Sequence, residues 1–269
     1  MKFYTLLKKS CKSFFDNAKF DVINILIDIG FFVLMANIYT KIWEKMFIHM
    51  QAVVDLMGIE FAELAEVQSE AQLSSLAANQ GQFMVHYQQI SNYVLLILLS
   101  LLVFWIIFQG INWFRTQNLL GKKTDFKTYM ARFSIISLLA WLVFMIISFF
   151  SMKTSFYASQ SLFPSIGGFA ENILTIILLF LLFYLVYIAY TLIPRYRLKD
   201  LLKNLIPIAY HGYKKLLPAY LFMALVLLGE YLVFMRAFYF GGYAAAVFAI
   251  VIIFPTLSWT RFYAIKALE

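Results

Sequence analysis

The residues able to do chemistry in this chain are the few polar ones set inside long apolar runs. Asp21, Asn24 and Asp28 are spaced three and four apart at the start of the first run, which puts them on one face of a helix. A charge at the centre of a bilayer costs at least about 2.5–3.5 kcal/mol, so such a stripe must face protein or water. Gln109 and Asn112 sit at a similar depth in the second run. Two readings stand side by side: a cation or proton site, or a hydrogen-bonded cluster that packs helices. Glu230 lies in the middle of the fifth run. Tyr184, Tyr187 and Thr191 share a face of the fourth and could offer it a hydroxyl. Glu230 is then either a proton carrier or one end of a neutral interhelical bond.

The remaining candidates are sparse. His49 and His86 lie in a segment expected to fold back on itself, about equally far from its turn, so they could approach each other. Two histidines with no set third ligand are a weak metal motif, and neither a metal nor a cofactor is expected. His211 has no acidic neighbour closer than Asp200. Cys11 is the single cysteine, so no intrachain disulfide forms; it reads as a small apolar residue or as a lipidated thiol. The sequence has no HExxH pair, no GxSxG elbow and no glycine-rich phosphate loop ending in Lys-Ser or Lys-Thr. No catalytic residue is assigned, and the enzyme reading leans to no.

The surroundings of these residues are oily. Of 269 residues, 63% are hydrophobic and 13% charged, against roughly a quarter charged in soluble domains. A water-soluble globule of that composition could not cover its own surface, so lipid is the expected solvent. Six runs approach the roughly 20 apolar residues a crossing needs: 22–42, 93–114, 133–150, 173–193, 217–238 and 243–259. The first is expected to be a retained anchor rather than a cleaved signal.

Most Lys and Arg fall in 1–21, 115–132, 194–216 and the tail 260–269, which holds Arg261 and Lys266. The positive-inside rule then places these segments and both termini in the cytoplasm. The net charge of +8 points to anionic headgroups, not nucleic acid. Lys8, Lys9, Lys12, Lys122, Lys123, Arg195, Arg197, Lys214 and Lys215 are the expected headgroup contacts. Trp43, Trp113 and Trp259 fall at helix ends and are expected at the membrane interface; Trp105 and Trp141 lie deeper.

The basic segments carry helical stripes. Phe3, Leu7, Cys11, Phe14 and Ala18 form one, and Phe126, Tyr129, Met130 and Phe133 a second, with Thr124 or Asp125 as its cap. Leu198, Leu201, Leu202 and Leu205 form a third, ending at Pro207. These predict interfacial amphipathic helices, and their recurrence before pairs of spans leaves an internal repeat open. Between spans one and two, 43–92 predicts an extracytoplasmic helical hairpin turning near 67–75. The outer loop 151–172 is expected to be irregular or partly re-entrant, and Gly241–Gly242 to make a tight turn.

The expectation is therefore an all-α, polytopic integral membrane bundle of six transmembrane helices in the cell membrane. Without a chemical motif, its leading function is non-enzymatic: organising or assisting partner proteins, with Met46, Met50, Met57 and Phe61 of the hairpin as the partner surface. The alternatives are a transporter or permease subunit using Asp28 and Glu230, and a lipid-handling membrane enzyme.

Overall fold

The computed structural model describes the backbone of residues 3–64, 70–159, 164–239 and 241–269, with side chains described there except at 3, 57–64, 70–80, 152–159, 164–172, 215 and 238. All elements among these residues are helical. A short helix α1 (Phe3–Asp16) leads into the 47-residue α2 (Ala18–Leu64). Next come α3 (Glu70–Phe104), a π-helical turn (Trp105–Gln109) and α4 (Gly110–Leu119). Then follow α5 (Phe126–Ser159), α6 (Pro164–Leu192), α7 (Leu198–His211) and α8 (Tyr213–Tyr239). The chain closes with α9 (Gly242–Phe248), a second π-helical turn (Ala249–Ile253) and α10 (Phe254–Ala267). Among the described residues, six stretches are long and apolar enough to cross a membrane: Ala18–Leu56, Gly81–Leu119, Phe126–Ser151, Ile173–Leu192, Leu216–Ala237 and Gly242–Ala267. That length in helix is what lipid demands, since every backbone N–H and C=O must be satisfied within the segment.

The chain divides into two compact units. One holds Met1–Ile29 and Trp105–Glu269, the other Gly30–Phe104. The core of the first is aromatic. Trp113 of α4 meets Tyr187 and Tyr190 of α6, with ring centroids 5.4 and 5.6 Å away. Phe133 of α5 stacks on Tyr190 at 4.3 Å. The two helices α4 and α5 approach closely at Gly110, where a Cβ would lie 2.8 Å from Met130 Cε and 3.1 Å from Phe133 Cδ1. Helix α4 stops at Gly121, whose φ of 76° suits glycine. There the Gly121 and Lys122 N–H groups donate to the Asn118 and Gln117 carbonyls, the paired bonds that close a helix end.

Several expectations are corrected here. The tail 260–269 is helical to Ala267, with Thr260–Ile265 buried, because α10 continues its apolar face through Phe262, Tyr263 and Ile265. Helix α1 lies against it: Leu6 is buried, and Phe14 packs edge-on to Phe262 at 6.0 Å. Pro207 does not end α7, which runs on to His211; Leu201 and Ala209, on either side of the proline, are both buried and hold the segment. Most of 151–172 is helical, not irregular, because α5 extends to Ser159 and α6 starts at Pro164, where the ring pre-sets the helical φ. Of the expected hairpin turn, 70–75 belongs to α3 and 67–69 lie outside the described residues. Trp113 is 1% exposed; it is a core residue because α4 continues beyond it.

Candidate functional site

The polar residues of α2 and α4 meet as an antiparallel ladder. Arg115 Nε donates to Asn24 Oδ1 at 3.0 Å, and its Nη2 reaches the Phe20 carbonyl at 3.3 Å. Asn24 Nδ2 donates to Thr116 Oγ1 at 3.3 Å, and Asn112 Nδ2 to the Asn24 carbonyl at 3.2 Å. One turn on, Asp28 Oδ1 accepts from Gln109 Nε2 at 2.9 Å and from Asn112 Nδ2 at 2.8 Å. Asp28, Asn24 and Asn112 are fully buried. The structure thus brings together Asn24, Asp28, Gln109 and Asn112, four of the residues singled out from sequence.

What sequence reasoning missed is the counter-ion. Arg261 of α10 projects into the same cluster, and its Nη2 donates to both Asp28 oxygens, at 2.7 and 2.8 Å. The same nitrogen donates to Gln109 Oε1 at 2.8 Å. Arginine, amide and carboxylate therefore close a three-membered ring across three helices. One Asp28 oxygen thus takes three donors, and the guanidinium beside it supplies the charge-assisted bonds that a buried carboxyl requires. Asp21, also buried, is treated differently. It accepts from Asn24 Nδ2 at 2.8 Å and from Ser258 Oγ at 2.7 Å, both neutral donors. Among the described residues, Asp21 Oδ2, Asn112 Oδ1 and Arg261 Nη1 are buried without a hydrogen-bond partner. Both π-helical turns lie just before cluster residues, one ending on Gln109 and the other a short way before Ser258. Such turns are frequent at functional sites.

Glu230 stands apart from this ring. Among the described residues, its Oε2 is buried without a hydrogen-bond partner. The expected bond from Tyr184 or Tyr187 is not formed, and the Tyr184 hydroxyl is engaged elsewhere. Tyr184 donates to the Ala209 carbonyl at 3.1 Å. On α6 the Tyr190 hydroxyl meets Ser137 at 2.8 Å and accepts from Trp105 Nε1 at 3.2 Å. Arg132 of α5 closes the end of α6, donating to the Ile193 and Tyr196 carbonyls at 3.1 and 2.9 Å.

In the second unit, His49 and His86 meet, Nδ1 to Nδ1, at 2.9 Å. Met46 is buried and Met50 exposed. Met57 and Phe61 lie outside the described side chains.

The basic residues expected at headgroups divide. Lys8, Lys9, Lys12, Lys123, Arg197 and Lys214 are exposed. Arg195, also exposed, donates to the Leu268 carbonyl at 3.4 Å. Lys122 is half-buried and pairs with Glu269 at 3.2 Å. Burial, and then the charge of Arg195, hold its ammonium below the usual lysine range. Burial pushes the Glu269 carboxyl up, but Lys266 and Lys122 outweigh it and hold the group below its usual value. Lys215 lies outside the described side chains. Asp125 caps α5 as expected, accepting from the Thr128 N–H at 2.9 Å; that bond lowers its carboxyl below the usual range.

Compared with known proteins, the chain matches no family model, no curated protein and no solved structure.

Proposed function

We propose that this is a non-enzymatic multi-pass membrane protein that organises or assists partner proteins at the cell membrane. The observation that carries the reading is the excess length of α2 and α3 combined with apolar side chains left open on them. Helix α2 has 47 residues, where about 20 cross the hydrocarbon. Phe47, Ile48, Val54, Met84, Val85 and Tyr87 are all exposed on these arms. Exposed apolar residues grouped on helices longer than a crossing needs are the composition of a protein-binding surface. Both termini are cytoplasmic in this reading. The exposed lysines of α1, with Lys123, Arg197 and Lys214, face anionic headgroups at about 1 kcal/mol each.

The test is a photo-crosslinking residue at Ile48, which is 66% exposed. The expected result is one discrete protein adduct in the native membrane. Deleting residues 46–87 should abolish recovery of that partner while the remaining chain still inserts. Unchanged recovery after the deletion rejects the reading.

One observation favours a transporter or permease subunit instead: the buried, unpartnered atoms of Asp21, Asn112 and Arg261 beside two π-helical turns. On that reading Asp28→Asn and Glu230→Gln abolish a transport-linked phenotype in a protein that still accumulates. Unaltered transport and stability in both variants would eliminate it.

A further inference from the structure

We propose that His49 and His86 form a binding site for a borderline-soft divalent cation of the zinc class, bridging α2 and α3. This stands independently of the partner-organising reading. The two residues are 37 apart in sequence, yet their Nδ1 atoms lie 2.9 Å apart. Their ring centroids are 5.2 Å apart with planes at 46°. The same nitrogen of each ring is thus directed at the other. As a hydrogen bond this contact works only when one Nδ1 carries a proton and the other does not. With both lone pairs facing inward, the gap is the opening of a chelate.

Zn–N bonds of about 2.0–2.1 Å at tetrahedral angles place two ligand nitrogens about 3.3 Å apart. Relative to the 2.9 Å observed, the rings need part by only ~0.4 Å. Imidazole nitrogen suits Zn2+, Cu2+ and Ni2+ and discriminates against Mg2+, which prefers oxygen. The surroundings are compatible with a cation. No Asp, Glu, Lys or Arg occurs on α3 beyond Glu70. On α2 the nearest charges in sequence are Glu44, Lys45 and Asp55, all exposed. The Tyr93 ring lies 5.8 Å from His49. Among the described residues no group of three His, Cys, Asp or Glu side chains forms a cage. Two imidazoles with water in the open positions are the coordination expected. Because the ligands come from two helices, the ion would staple them, and binding stabilises only the state in which the rings meet. Affinity falls with acid, since each proton taken by a ring removes a lone pair.

The test uses the full chain in detergent micelles, stripped of metal by a chelator, with Zn2+ as the only probe. One equivalent is expected to bind, at least tenfold more weakly in His49→Ala or His86→Ala. His211→Ala, on the exposed end of α7, should bind as the parent does, and Mg2+ should not compete. X-ray absorption of the zinc-loaded parent should report two imidazole nitrogens at about 2.0 Å; this measurement decides the matter even if the alanine variants do not fold. The proposal is overturned by absence of zinc binding, by equal binding in the double variant, or by fewer than two imidazole ligands.

Discussion

Replacing Arg261 with methionine is expected to cost about 3–5 kcal/mol of stability, the penalty for leaving a buried charge unpaired. The stem of the side chain is kept, so the loss isolates the guanidinium. Asp28 would retain Gln109 and Asn112 as donors, but its charge would have no neutraliser in the ring. A second change, Asp28→Leu in the Arg261→Met background, should recover most of the loss, because an apolar pair of similar volume replaces a buried ion pair at little cost. Reversible unfolding in mixed micelles measures both steps. An Arg261 variant within about 0.5 kcal/mol of the parent, the range of ordinary surface substitutions, would mean that the arginine is only a headgroup contact.

Trp113→Ala is expected to cost a similar amount, about 3–5 kcal/mol, from lost burial plus the cavity left among Tyr187, Tyr190 and their neighbours. Trp113→Phe should lose much less, since it keeps a ring against the same aromatic walls. The same unfolding measurement decides. A tryptophan anchored at the lipid interface would show the reverse: a small effect on unfolding and an altered depth in the bilayer.

The helical class and the six helices long and apolar enough to cross a membrane were legible because lipid leaves so apolar a chain almost no other solution. The stripe of Asp21, Asn24 and Asp28 was legible for the same reason, since polar residues inside an apolar run stand out. Arg261 was not. It follows Trp259 at the end of the last run, where it reads as one more basic residue of the tail. Its long stem, directed into the bundle, is a tertiary fact. One signal was available: two acids near the start of the first span require compensation, and few arginines flank the spans. Trp113 failed similarly, because tryptophan near a span end suits an interface and a core equally well. Ser258 and Thr116 carry no signal at all, since hydroxyls occur throughout membrane helices. The meeting of His49 with His86 followed from the expected fold-back, but its closeness did not.

The π-helical turn at Trp105–Gln109 has a consequence for how this protein tolerates insertions and deletions. A π-helical turn takes up one residue more than the α-helix it interrupts while leaving the helices on either side near their original phase, so removing one residue from 105–108 should leave Gln109 and Asn112 facing Asp28. Removing Ile111 from the regular spiral of α4 instead turns Asn112 by about 100° relative to Gln109, and the two amides would no longer reach the same Asp28 oxygen. The turn is the slack in this helix, and the segment after it has none.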